Sequence, residues 1–203
     1  MLSVLLIAEN SEWYRYKELE ECLINDYHVE YSGKISADMA ELSKIEFTYE
    51  IIFFLKPLEF SEVPAISRLA KSKILVFHVR NTNVPIRLSE NLLPVADFLE
   101  LNASAMKGRL EYFIGVDVIK LLNPHHMEVN EECEIILNGN RNTRVLLGDI
   151  TFRTGKNVIF GVRKDNMAFF SADIFSNDAM SESNNCRFIK NLLKELVGEA
   201  EVY

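Results

Sequence analysis

Continuous apolar runs alternate with amphipathic stretches through the first 84 residues of the chain. The runs at residues 3–8, 49–55 and 73–79 contain few polar side chains, which is typical of strands buried on both faces. A shorter alternating segment at residues 28–31 indicates another strand. The stretches between them predict helices: one from residue 11 with Tyr16, Leu19 and Leu23 on its apolar face, one at residues 37–44, and one capped by Ser61.

From residue 131 to residue 203 the pattern changes to short strands separated by tight turns. Asn138-Gly139 is a strong two-residue turn signal, and strands this close in sequence pair as antiparallel hairpins. An amphipathic helix at residues 184–197 closes the chain, whereas residues 85–130 show no clean period. The strands are predicted at residues 132–137, 144–152, 158–162 and 167–171.

The two halves together predict one α/β domain spanning residues 1–203. Residues 1–84 form the βα-alternating half, a flavodoxin-like parallel sheet with helices on both faces and right-handed crossovers. Residues 131–203 extend this sheet with antiparallel strands and end in a helix. No linker, low-complexity stretch or internal repeat separates the halves.

Charge and composition narrow the range of partners. The chain has 203 residues, 48% of them hydrophobic and 26% charged, and a formal net charge of −8. An acidic surface repels phosphate backbones, so we expect no nucleic-acid partner. The apolar start of the chain stops at Glu9 and lacks a basic leader, and no stretch reaches the length of a membrane span. These features predict a cytoplasmic protein with no membrane association.

Three cysteines, Cys22, Cys133 and Cys186, are widely spaced, and no Cys-x-x-Cys pair is present. We therefore expect a reducing compartment, with neither a disulfide framework nor a thiolate zinc site. Adjacent histidines rarely share a metal ion, so His125-His126 is interpreted as a solvated loop, and His78 as a histidine of a buried strand. The sequence also lacks a nucleophile elbow and a glycine-rich phosphate loop. We predict no metal and no cofactor.

Polar side chains gather where the predicted parallel strands end, and ligands of open α/β sheets bind at that edge. Asp173 is the most prominent of them, because it follows an entirely apolar strand and opens a polar segment at residues 171–178. Two interpretations stay open: a polar pocket wall, or side chains that fix loops and cap helices. The candidate ligand-binding residues are Glu9, Asn10, Ser11, Lys56, Arg80, Asn81, Ser171, Asp173 and Asn177.

Residues 157–196 comprise an apolar strand, the turn Ser171-Ala172-Asp173-Ile174-Phe175, and Asn185 at the start of the last helix. This segment resembles the C-terminal segment of non-catalytic members of the class I glutamine amidotransferase-like superfamily. Catalytic members carry a cysteine nucleophile after a central strand. The matching strand end here, residues 77–81, contains no cysteine. The resemblance therefore implies a relative that has lost this activity and serves in binding or assembly.

Two functional hypotheses follow. The first is a non-catalytic module that binds a protein partner or a small polar ligand. It would act as part of an assembly, and a homo-oligomer is one form that this assembly can take. The alternative is a small-molecule enzyme, a hydrolase or transferase, in which Asp173 acts as acid or base near Glu9 or His78.

Overall fold

A computed structural model gives the fold. It describes residues 1–36, 38–79, 88–92, 98–100, 110–129, 133–147, 149–181 and 183–200. The strands are β1 (Ser3–Ile7), β2 (His28–Ser32), β3 (Ile51–Phe54), β4 (Ile74–His78), β5 (Leu88–Leu92), β6 (Phe98–Glu100), β7 (Val118–Lys120), β8 (His126–Val129), β9 (Glu134–Asn138), β10 (Arg144–Leu147), β11 (Ile150–Thr154), β12 (Ile159–Lys164) and β13 (Met167–Phe170). The α-helices are α1 (Lys17–Leu23), α2 (Met39–Thr48), α3 (Val63–Leu69), α4 (Asn177–Met180) and α5 (Asn185–Ala200). Short 3-10 helices lie at Asn10–Tyr16, Phe60–Glu62, Leu110–Phe113 and Gly155–Asn157.

A seven-stranded sheet in the order β2-β1-β3-β4-β13-β12-β9 forms the centre of the molecule. Neighbouring strands from β2 to β13 are parallel, whereas β12 pairs antiparallel with both β13 and β9. The sheet confirms the predicted α/β, flavodoxin-like fold, in which the C-terminal half supplies the antiparallel strands. The two small strand pairs β5–β8 and β6–β7 include residues from the segment in which no period was found.

Helices cover both faces of the sheet because the central strands are apolar on both faces. Every residue of β3 is fully buried: Ile51 and Phe53 pack on one face, and Ile52 and Phe54 on the other. The first face is covered by α1 and α5, and the second by α2 and α3. Three phenylalanine rings on β3, β4 and β13 stack with centroids 4.8 Å apart: Phe54, Phe77 and Phe169. This stack fixes the lateral register of the three strands.

Two further predictions from the sequence were wrong, one in the C-terminal half and one just before it. Residues 144–152 are not one strand but the antiparallel pair β10–β11, and the sequence between these strands contains Gly148 and Asp149, residue types that favour turns. His126 is not in a solvated loop. It begins β8, is buried, and its Nδ1 accepts a hydrogen bond of 3.1 Å from the Ile159 N–H.

A disulfide joins Cys22 of α1 to Cys186 of α5, with their Cα atoms 5.8 Å apart. The prediction that the chain has no disulfide was therefore wrong. The two cysteines are 164 positions apart in sequence, but α1 and α5 pack side by side on the same face of the sheet. Cys133 is a free, half-buried thiol.

Candidate functional site

The carboxyl ends of β1, β3, β4 and β13 lie along one edge of the sheet, because these strands are parallel neighbours. Seven of the nine candidate residues are described, and all seven follow these strands in sequence: Glu9, Asn10 and Ser11 after β1, Lys56 after β3, and Ser171, Asp173 and Asn177 after β13. His78 is the last residue of β4. Arg80 and Asn81 lie outside the described residues.

The first 3-10 helix, Asn10–Tyr16, lies over this edge. The Trp13 Nε1–H donates to the Ala8 carbonyl at 2.9 Å, and the buried Tyr16 hydroxyl donates to the Leu55 carbonyl at 3.0 Å. These bonds attach the helix to the ends of β1 and β3.

The side chains of Glu9, Asn10 and Ser11 are exposed at the start of this helix. Glu9 occupies the N-cap position, but its side chain makes no capping hydrogen bond. The Asn10 Oδ1 packs so closely on Gly33 that a Cβ at that glycine would lie 2.5 Å from it. We call these three exposed residues the edge tip.

Lys56 is internal to the fold, since only 4% of the residue is exposed. Its Nζ lies 3.1 Å from the Glu62 Oε1 in a buried ion pair. Glu62 also accepts hydrogen bonds from the N–H groups of Glu59, at 2.9 Å, and Ile35, at 3.3 Å. The ammonium group of Lys56 therefore neutralises the buried Glu62 carboxylate, whose hydrogen bonds hold the loops that contain Ile35 and Glu59.

Asp173 fixes the turn after β13, and only 4% of the residue is exposed. Its Oδ1 accepts hydrogen bonds from the Phe175 N–H at 3.0 Å and the Ser176 N–H at 2.9 Å. Its backbone pairs with Leu122 through two hydrogen bonds, of 2.9 and 3.1 Å. Burial alone raises the pKa of Asp173, but the positive charge of His78 and the hydrogen bonds from Ser176 and Phe175 outweigh it. The pKa of this carboxyl group consequently lies below its ordinary value.

Two basic side chains interact electrostatically with Asp173. The His78 side chain is buried, and its ring centroid lies 6.2 Å from that of Phe175. Arg15 of the first 3-10 helix is half-buried, and its Nη1 donates a hydrogen bond of 2.8 Å to the Glu12 Oε1. Burial lowers the pKa of Arg15, but this hydrogen bond to Glu12 and the negative charges around the guanidinium group, that of Asp173 included, leave the pKa raised. The carboxylates of Glu12 and Asp173 therefore both stabilise the charged form of Arg15.

Ser171 and Asn177 connect the polar segment to its surroundings. The Ser171 hydroxyl is fully buried and donates to the His125 carbonyl. The Asn177 Nδ2 donates to the Tyr14 carbonyl at 2.9 Å, and its Oδ1 accepts from the Glu18 N–H at 3.0 Å. Asn177 therefore joins the Asp173 turn to the helices that follow β1.

The seven described candidates divide into two groups. Lys56, Ser171, Asp173 and Asn177 make internal hydrogen bonds or ion pairs, whereas the edge tip is exposed. Sequence reasoning had paired Asp173 with His78 but missed Arg15, which forms part of the same electrostatic group. The sequence could have indicated this ion pair, because Glu12 and Arg15 are three residues apart in a segment predicted to be helical. Among the described residues, no cluster of His, Cys, Asp and Glu could hold a metal ion.

Comparison with known proteins defines the family but not the activity. No family model matches the chain. The chain belongs to the same family as an uncharacterized protein of Archaeoglobus fulgidus, with which it is 86% identical over 203 residues, covering all of both chains. None of the helices in the described part of the chain is long and apolar enough to cross a membrane.

One solved structure shows likeness in fold, and a second superposes less closely. An α-L-fucosidase, isoenzyme 2 from Paenibacillus thiaminolyticus, superposes with a TM-score of 0.57 and 11% identity over 98% of this chain. The chain spans 33% of the length of that fucosidase chain. A glutamine amidotransferase from Thermotoga maritima superposes with a TM-score of 0.47 and 12% identity, over 98% of this chain and 84% of the other.

Proposed function

We propose that this protein is a non-catalytic module with an amidotransferase-like fold that binds a protein partner or a small polar ligand at the edge tip. The observation that carries the proposal is the division among the candidate side chains. The buried ones are used to hold the fold together, and the accessible ones, Glu9, Asn10 and Ser11, lie together at the start of one helix.

The state of Asp173 supports binding over acid–base chemistry. General acids and bases work best with a pKa near the pH at which they act. The pKa of Asp173 is lowered, so this carboxyl group is ionised at neutral pH and is a weak base. Its Oδ1 already accepts two backbone hydrogen bonds, which would have to lengthen if the group moved toward a substrate.

The composition of the edge tip supports a polar partner. It offers a carboxylate, an amide and a hydroxyl group, and the exposed Tyr14 ring follows within one turn. Aromatic side chains next to mixed donors and acceptors are common in protein interfaces. The resemblance of residues 157–196 to non-catalytic amidotransferase-like domains points the same way.

The experiment compares binding by matched variants. Tagged wild-type protein, Asn10→Ala/Ser11→Ala at the edge tip, and Asn25→Ala/Ser72→Ala are incubated with lysate from the source organism. The last variant makes the same two changes at exposed positions near the opposite edge of the sheet. Proteins and small molecules that co-elute are quantified by mass spectrometry.

We expect one co-eluting species to be retained by the wild type and by Asn25→Ala/Ser72→Ala, and to fall about tenfold or more with the edge-tip variant. Equal retention by both variants would show that the edge tip is not the binding surface.

The alternative function is a small-molecule enzyme, a hydrolase or transferase, that uses Asp173 and His78. One observation favours it: the two side chains interact electrostatically at the ligand-binding edge of the sheet. An aspartate that orients a histidine is a recurrent catalytic pairing. This reading predicts an activity, found by screening ester, amide and glycoside substrates, that His78→Gln abolishes and Asn10→Ala/Ser11→Ala leaves intact.

A further inference from the structure

The β10–β11 hairpin forms a basic arm on an acidic protein. We define the hairpin arm as residues 141–147 and 149–156. Among the strands that the structure describes, β11 is hydrogen-bonded only to β10. Val145 of β10 and Thr143 just before this strand are buried, whereas Ile150 is 69% exposed and Leu146 is 39% exposed. The exposed charged side chains of the arm are Arg141, Arg144, Arg153 and Lys156, with Asp149 as the acidic one.

A second surface has the complementary character. The first 3-10 helix, α1 and its C-cap carry the exposed Tyr14, Glu21 and Ile24 and the half-buried Glu18, and we call these four residues the α1 surface. Tyr14 is 67% exposed and Ile24 is 54% exposed. Lys17 lies on the same side, but Glu18 and Glu21 outnumber it. Acidic side chains therefore lie between two exposed apolar ones.

The two surfaces match in chemistry. Each presents two large apolar side chains accompanied by charges, basic on the arm and acidic on the α1 surface, and this is the usual composition of a protein interface. Both are exposed in the same chain, so the arm does not cover the α1 surface of its own molecule.

We infer that the hairpin arm of one copy docks on the α1 surface of a second copy of this chain. A symmetric arm-to-arm contact would place Arg141 and Arg144 near their own counterparts, which like-charge repulsion disfavours. A nucleic acid is less favoured as the partner of the arm, because the chain has a net charge of −8, which repels phosphate groups, and the arm has only a few basic side chains. Because the contact joins two different surfaces, two copies that make it reciprocally form a two-fold dimer, and copies that make it head to tail form a closed ring or an open filament.

Charge reversal on each surface tests the contact. The arm-reversed variant is Arg141→Glu/Arg144→Glu, and the α1-reversed variant is Glu18→Lys/Glu21→Lys. Sedimentation velocity is recorded up to about 100 µM protein at low salt and again in about 0.5 M NaCl, where exposed charges are screened. Circular dichroism checks that each variant is folded.

The wild type should self-associate at low salt and dissociate in high salt. Each reversed variant alone should associate about 100-fold more weakly, because its two surfaces then carry charge of the same sign. A mixture of the two variants should assemble again, since the acidic arm of one faces the basic α1 surface of the other. Lys34→Glu/Lys71→Glu, which reverses two exposed basic residues elsewhere, should associate like the wild type.

Three results would overturn the inference. The first is a wild type that stays monomeric at every concentration and salt level. The second is a mixture of reversed variants that fails to assemble although both are folded. The third is binding of a DNA duplex that depends on the arm, without self-association of the protein. Tyr14 lies beside both the edge tip and the α1 surface, so the two proposals are separated by variants that leave it in place: Asn10→Ala/Ser11→Ala should leave assembly unchanged, and Arg141→Glu/Arg144→Glu should leave binding at the edge tip unchanged.

Discussion

The turn fixed by Asp173 permits a quantitative test of how the carboxyl edge of the sheet is held together. Asp173→Ala removes the acceptor of two buried backbone N–H groups, those of Phe175 and Ser176. Each buried donor left without a partner costs about 1–3 kcal/mol, so the free energy of unfolding should fall by about 2–6 kcal/mol. Asp173→Asn keeps an acceptor oxygen but loses the charge, and should cost about 2 kcal/mol.

The dependence of stability on pH provides a second measurement on the same residue. Because the pKa of Asp173 is lower in the folded protein than its ordinary value of 3.8, its contribution is fully present above that value. The contribution disappears as the pH falls through the lower folded-state pKa. The difference in unfolding free energy between wild type and Asp173→Asn should therefore be largest at neutral pH and shrink toward about pH 2.5.

Urea denaturation at several pH values measures both effects, with the slope against urea checked for constancy. Asp178→Asn is the matched control, because Asp178 is exposed on α4 five positions later. That control should change stability by less than about 0.5 kcal/mol. The reasoning is refuted if Asp173→Ala costs less than about 1 kcal/mol, or if the difference between wild type and Asp173→Asn is the same at both ends of the pH range.

Other contacts give three further predictions, each measured by thermal and urea unfolding. Cys22→Ser/Cys186→Ser should lose about 2–5 kcal/mol, toward the upper end because the bridge spans 164 positions; an unchanged midpoint would show that the bridge does not form. Glu62→Gln should cost about 3 kcal/mol, because it leaves the buried Lys56 ammonium group with only the exposed Glu59 carboxylate, 3.4 Å away, as counter-charge, and adding Lys56→Met should recover most of the loss; no recovery would contradict this account. Gly161→Ala should cost about 1–3 kcal/mol, since a Cβ there would lie 2.9 Å from neighbouring side chains, and a neutral result would mean that they can move aside.

Hydrophobic pattern predicted the central sheet well. Strands β1, β3, β4 and β13 fall within the predicted runs to within one or two residues, because continuous apolar runs of this length are stable only when both faces are covered. The pattern did not separate β10 from β11, since Ile150 is apolar and exposed and so continued the apparent strand. It also could not place β5 to β8, whose residues pair over long distances without a local period.

The candidate site shows the limit of sequence reasoning more clearly. The position of Asp173 at the edge of the sheet could be predicted, because this residue directly follows an apolar run that was recognised as a strand. Its partners could not, since the N–H groups of Phe175 and Ser176 become donors only when the turn folds back. The pairing of Cys22 with Cys186 likewise depends on two helices sharing one face of the sheet, which the cysteine spacing does not reveal.

The position of β13 inside the sheet affects how the chain folds while it is being synthesised. Strand β4 lies between β3 and β13, and Leu75 pairs with Met167. A nascent chain that has emerged as far as His78 can therefore assemble β1 to β4, but it presents β4, every residue of which is buried in the finished protein, as an open edge. Open apolar edges recruit other chains. Synthesis thus includes an interval, ending only when Met167–Phe170 arrives, in which the half-built sheet is most exposed to aggregation.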